Sequence, residues 1–179
     1  MRVIAGRFGG RRLVAPAGDR TRPTADRVRE SLFSILGALD GARVLDLFAG
    51  TGALGIEALS RGAAHVTFVE RDRAALGALR RNLDAIGPDA HAVRIVTGDA
   101  LRHLQDAAAR DEAYDLVLLD PPYRDADRLG PLLDQRLAPV LAPGAAVVSE
   151  SDRRHPLTLV LPLTDERRYG DTTIRIHTP

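Results

Sequence analysis

The chain has no cysteine and no lysine. Without thiols, disulfides and thiolate metal sites are excluded. Without lysine, no tyrosine–lysine pair for hydride-transfer chemistry can form, and every basic residue apart from histidine is arginine. No apolar run approaches the roughly 20 residues that cross a bilayer. The start, Met1 to Arg7, holds no apolar stretch of signal-peptide length. The five histidines are scattered, with no two at ligand spacing. Internal repeats and low-complexity segments are also missing. These absences lead to an expectation of a metal-free, cytoplasmic protein.

At 179 residues the chain suits one compact α/β domain with a small appendage. Its net charge of +1 hides an asymmetry: residues 1–29 carry eight arginines against Asp19 and Asp26, a local net of +6. A basic segment on a mildly acidic body suits phosphate contact, although a solvated arginine-rich terminus would look the same.

Val3 to Phe8 and Arg11 to Ala15 flank Gly9-Gly10 and read as a β-hairpin. A polar linker, Pro16 to Pro23, follows. Thr24 then reads as the N-cap of a helix whose core face is Val28, Leu32, Ile35, Leu36 and Leu39. This divides the chain into a basic hairpin and linker, 1–23, and a main domain, 24–179.

From Val44 onward, short strands alternate with helices. The strands are Val44 to Phe48, Val66 to Val69, Val93 to Val96, Leu116 to Leu119 and Ala146 to Val148. The intervening helices begin near Gly52, Asp72, Ala100 and Leu129. This pattern predicts βαβ units and a mainly parallel sheet. The alternating tail (Leu157, Leu159, Leu161, then Ile174, Ile176) predicts antiparallel strands at one edge.

In such sheets ligands bind at the carboxyl ends of the strands. Four places there carry an acid: Asp46 to Gly52, Glu70, Asp99, and Asp120 to Tyr123. Gly50-Thr51-Gly52-Ala53-Leu54-Gly55 fits a dinucleotide loop, and Glu70 stands where a ribose-binding acid belongs, so an NAD oxidoreductase is a competing reading. Asp46 weighs against it. A carboxylate in the turn repels a pyrophosphate and suits a cation, such as the sulfonium and ammonium of S-adenosylmethionine (SAM). Asp99 could accept a hydrogen bond from the adenine amine. Either it or Glu70 alone would more often be a helix cap, but together with the glycine loop at the same sheet edge both read as ligand-binding.

Asp120-Pro121-Pro122-Tyr123 presents a carboxylate, a carbonyl without neighbouring donors and an aromatic ring on a stiff turn. Acceptors at the two N–H groups of an exocyclic base amine would localise its delocalised lone pair. The Asp120 side chain and the Pro121 carbonyl are assigned to this, with Tyr123 stacking on an unpaired base.

Asp46 to Gly52 and Asp120 to Tyr123 together resemble SAM-dependent amino-methyltransferases. Thr21 to Glu30, Ile4-Ala5-Gly6, Leu59 to Ala63 and Tyr169 to Thr172 make the chain similar, over nearly its whole length, to the 16S ribosomal RNA guanine-N2 methyltransferase family. The resemblance implies a seven-stranded Rossmann-like sheet and an N-terminal arm that touches RNA through Arg7, Arg11 and Arg12. It implies SAM held by Asp46, Phe48, Gly50, Gly52, Glu70, Arg71, Asp99 and Ala100, with Thr24 and Arg22 near the methionine end. The implied catalytic set is Asp120, Pro121, Pro122 and Tyr123, acting as a monomer on guanine 966 in assembled small subunits. A DNA adenine-N6 methyltransferase, which can share Asp-Pro-Pro-Tyr, is the alternative within the same chemistry.

Overall fold

A computed structural model describes residues 1–15, 23–122 and 125–179. Its elements alternate along the chain: α1 (Pro23–Leu36), β1 (Arg43–Asp46), α2 (Ala53–Ser60), β2 (His65–Glu70), α3 (Arg73–Ile86), β3 (Val93–Thr97), α4 (Ala100–Ala108), β4 (Tyr114–Leu119), α5 (Ala126–Leu137), β5 (Leu141–Asp152), β6 (Leu163–Tyr169) and β7 (Thr172–His177). The strands form one seven-stranded sheet of order β3-β2-β1-β4-β5-β7-β6. β1 to β5 run parallel, and β7 lies antiparallel between β5 and β6. This is the Rossmann-like α/β sheet with an antiparallel edge that the alternating pattern predicts. Among the described residues no helix is long and apolar enough to cross a membrane.

Period-2 alternation gives the sheet two apolar faces. Val44, Leu116, Leu118, Val148, Ile174 and Ile176 point to a core shared with α1, α2 and α3. Leu45, Val117, Leu119 and Val147 point to a second core closed by α4 and α5. Local chemistry sets the helix ends. Asp72 accepts the Ala75 N–H at the start of α3, and Gly87, at φ 62°, ends it by donating to the Leu83 carbonyl. Asp99 accepts the N–H groups of Leu101 and Arg102 at the start of α4.

Several expectations need correction. The first helix starts at Pro23, so Thr24 lies inside it and is not its N-cap. Proline's fixed φ and missing N–H suit the first helical position. Phe33, not Ile35, completes the buried face, and Ile35 is exposed. Leu39 is buried but lies beyond the helix, whose end is marked by Gly37 at φ 73°. The first strand stops at Asp46, so Leu47 and Phe48 belong to the turn. Leu157 to Leu161 is not a strand; Leu157 and Leu159 are buried against the α5 side without joining the ladder. The linker residues 16–22 fall outside the described residues.

The N-terminal segment folds back on itself, but not through a two-residue Gly9-Gly10 turn. Val3 donates to Arg11 and Gly10 to Val3, while the chain between them loops outward. The loop is wide because the body fastens it. The backbone N–H groups of Ile4 and Ala5 donate to the fully buried Glu57 carboxylate, at 2.7 and 3.1 Å. The Arg7 N–H donates to the Ser60 carbonyl, and Phe8 donates to the Ser60 hydroxyl. Val3, Phe8 and Leu13 are buried in the first core. Gly6, at φ 80°, sits so close that a Cβ would overlap the Ser60 carbonyl. Gly6→Ala should therefore destabilise the protein by about 2 kcal/mol or more and expose the arm. Thermal melting with limited proteolysis checks this; unchanged melting and an uncut arm would refute it.

Candidate active site

The chain leaves β1 for β2 and β3 on one side and returns to β4 and β5 on the other, so the switch point of the sheet lies between β1 and β4. A crevice at the carboxyl ends of the strands is expected there. The turn after β1 forms its floor. Gly50 and Gly52 take φ 54° and 81°, values that L side chains resist. At Gly52 a side chain would strike Leu79, whereas a Cβ on Gly50 meets only the Phe48 carbonyl, at 4.0 Å. Gly52 thus serves packing, while Gly50 leaves the backbone open to a ligand. Gly55 lets α2 approach Phe68.

Asp46 is 1% exposed. Its carboxylate accepts the Gly55 N–H at 2.9 Å in the first turn of α2. Burial, with the nearby Glu70 charge adding to it, pushes its pKa up to about 7, against the relief given by the Gly55 bond. Glu70, at the end of β2, accepts Gly50 N–H through Oε2 at 2.7 Å and the N–H groups of Arg71 and Asp72 through Oε1 at 2.8 Å. A carboxylate has about four acceptor positions, so one remains for a hydroxyl. Asp99 caps α4 through Oδ1, and among the described residues its Oδ2 has Arg71 nearby, at 3.9 Å. Both residues are therefore structural anchors with acceptor capacity to spare. Ala100 is buried beside Asp99, and Phe48 is half-buried.

Asp120 follows β4. Burial, with Glu150 and Asp46 as negative neighbours, raises its pKa well above the ordinary carboxylate range. Pro121 is buried and Pro122 exposed. Arg22 and Tyr123 lie outside the described residues, as does the side chain of Thr24. Of the expected RNA contacts, Arg7 stacks on Phe8 at 5.0 Å. Arg11 donates to the Ala85 and Ile86 carbonyls at the end of α3, so part of its donor capacity is used within the fold. Arg12 is exposed.

Two residues of this site have no counterpart among the sequence-based candidates. Asn82 is buried in α3. It accepts the Val14 N–H and donates to the Val14 and Thr51 carbonyls at 3.0 and 2.9 Å, tying the arm to the glycine turn. Glu150, near the carboxyl end of β5, is half-buried. The rule that singled out Asp46, Glu70, Asp99 and Asp120 applies to it too, but the strand runs on to Asp152, past the expected end at Val148.

The set fits SAM better than a dinucleotide. Carboxylates dominate the crevice, and Asp46 is a buried anion lacking a cationic partner among the described residues. A diphosphate would add repulsion, whereas a sulfonium or ammonium would offset the charge. The antiparallel β7 inserted beside β5 also departs from the six-stranded parallel order of the dinucleotide fold.

Comparison with known proteins agrees. The family model described as Conserved hypothetical protein 95 matches residues 1–178. A Bacillus subtilis (strain 168) protein, YlbH, named as a proposed rRNA methyltransferase, is 42% identical over 99% of this chain and 98% of its own. Ribosomal RNA small subunit methyltransferase D of Haemophilus influenzae is 34% identical over 88% of this chain and 81% of its own. Its Escherichia coli (strain K12) counterpart is 43% identical over 69% of this chain and 61% of its own. A Thermus thermophilus structure superposes with TM-score 0.82 at 30% identity, covering 99% of this chain and 98% of that one. A methyltransferase-fold chain solved with SAH shares the fold at TM-score 0.72 and 17% identity.

The Asp46 shift has a consequence for stability. A carboxyl whose folded pKa is raised from 3.8 to about 7 favours the fold fully below pH 4, and that advantage is lost as pH rises toward 7. Asp46→Asn keeps an acceptor for Gly55 but carries no charge. Its melting temperature should exceed the wild type's by several degrees at pH 8 and hardly at all at pH 4. Equal differences at both pH values would contradict the assigned burden. With fold and relatives in agreement, the chain belongs to the Conserved hypothetical protein 95 family, that of ribosomal RNA small subunit methyltransferase D.

Proposed function

We propose that this protein transfers a methyl group from SAM to the exocyclic N2 of a guanine in small-subunit ribosomal RNA, guanine 966 in the family's assignment. The observation that carries the reading is the placement of the Asp46 turn and the Asp120-Pro121 turn at the carboxyl ends of adjacent strands, on either side of the switch point. Relatives named small subunit methyltransferase D support the RNA substrate.

SAM, when bound, supplies an electrophilic methyl on a positively charged sulfur. Glu70 would accept a ribose hydroxyl and Asp99, through Oδ2, the adenine amine, while Phe48, Arg71 and Ala100 line the approach. Asp46 would balance the positive charge of the methionine portion, with Thr24 and Arg22 near that end. Asp120 and the Pro121 carbonyl each accept one N–H of the guanine amine, which frees its lone pair for attack. As the new N–C bond forms, the sulfur–methyl bond would break, its electron pair staying on sulfur as S-adenosylhomocysteine leaves, and the surplus proton on nitrogen passes to the Asp120 carboxylate. Holding the amine in line with the methyl provides much of the rate. Tyr123 stacks on the flipped base. The arm, residues 1–23, contacts RNA phosphates through Arg7, Arg11 and Arg12, and the substrate is the assembled subunit.

Labelled SAM offered with unmethylated small subunits, naked 16S ribosomal RNA and duplex DNA tests the reading. Label should enter guanine of the subunits; label in DNA adenine alone would overturn it. Asp120→Ala should lower transfer by about 1,000-fold and leave SAM affinity within a few-fold. Turnover retained in that variant would remove the carboxylate from the mechanism.

A further inference from the structure

Three acids near the sheet edge share one face. Along β1, Leu45 points to the second core, so Asp46 points to the first. Along β4, Leu118 faces the first core and Leu119 the second, so Asp120 again faces the first. Along β5, Val148 faces the first core, and Glu150, two residues on, follows it. The ladder pairs Asp46 with Leu118, and Leu118 with Val148 and Leu119 with Ser149. One more step sets Asp120 beside Glu150. Neighbouring strands lie about 4.8 Å apart, so the two carboxyls stand shoulder to shoulder on one side of the crevice.

Neither carboxylate has a hydrogen-bond or ion-pair partner among the described residues. Glu150 is flanked on β7 by Ile174, an apolar neighbour that offers no donor. Among the described residues the positive group acting on it is Arg29 of α1, whose own contacts are the Arg2 carbonyl, Asp26 at 3.0 Å and Glu57 at 3.8 Å. Two half-buried carboxyls side by side without donors are unfavourable, and burial raises the pKa of both. A ligand presenting two adjacent N–H donors would relieve the pair.

The Watson–Crick edge of guanine has this form: N1–H lies next to one N–H of the N2 amine, and the two point the same way. We propose that Glu150 is the base-reading residue of the site, its carboxylate accepting N1–H of guanine beside the amine held by Asp120. The proposal rests on the guanine-N2 reading above and adds a reason for it. Adenine has an unprotonated N1 next to its amine, so its lone pair would face the Glu150 carboxylate. A buried acceptor left without a donor is strongly discriminating.

The probe is 2-aminopurine, which keeps the N2 amine but has a bare N1. Small subunits are reassembled on 16S ribosomal RNA carrying guanine or 2-aminopurine at the target position. The wild type should prefer guanine by at least about 100-fold in kcat/KM. Glu150→Gln can turn its amide N–H toward the bare N1, and its preference should fall below about 10-fold. Glu150→Ala should lose activity on guanine without regaining 2-aminopurine. Each preference is a ratio on one protein preparation, so partial misfolding cancels. If the wild type methylates guanine N2 and Glu150→Gln keeps the full preference, Glu150 does not read the base, while the guanine-N2 function stands. If no guanine is methylated by the wild type, both readings fall together.

Discussion

The parallel register of β1, β4 and β5 forces Asp46, Asp120 and Glu150 onto one face of one sheet edge. Like charges placed together in a partly dry crevice oppose folding, and nothing among the described residues neutralises them fully. The fold tolerates this because the two apolar cores on either side of the sheet are extensive and closed by five helices. The crevice is thus prepared for partners that bring positive charge or N–H donors. A sulfonium cofactor meets the first condition, and the amine edge of a guanine meets the second. The arrangement gives up stability in the free protein for affinity in the complex.

Around that edge, other groups hold the loops still. Glu57 commits its buried carboxylate to the N–H groups of Ile4 and Ala5 and to Arg61, so the arm is fastened to α2. Asn82 joins the arm to the glycine turn, and Glu70 grips that turn at Gly50. These bonds connect the surface that carries Arg7 and Arg12 to the floor of the crevice. The arm and the glycine turn are therefore tied to each other through α3.

Much of this is legible in the sequence because it is written in local chemistry. Asp72 and Asp99 cap helices, Gly87 ends one, and four-residue apolar runs mark strands buried on both faces. The differences arise where tertiary contacts decide. Gly9-Gly10 has the composition of a tight turn, yet Glu57, distant along the chain, pulls the loop open. Thr24 has the composition of a cap, but Pro23 beside it starts the helix first. Ile35 lies at helical spacing yet faces solvent, because Phe33 fills the available core. Glu150 also follows a strand, two residues past the expected end at Val148, but its place beside Asp120 comes from the register between β4 and β5, which no single segment reveals.

A crystal structure of this protein with S-adenosylhomocysteine and a guanosine oligonucleotide bound would test the central claim most directly. The account predicts the cofactor sulfur over the Asp46 turn and the guanine amine within hydrogen-bond reach of Asp120, both on the face of the sheet covered by α1 and α2. Cofactor and base on opposite faces, or an amine distant from Asp120, would contradict it.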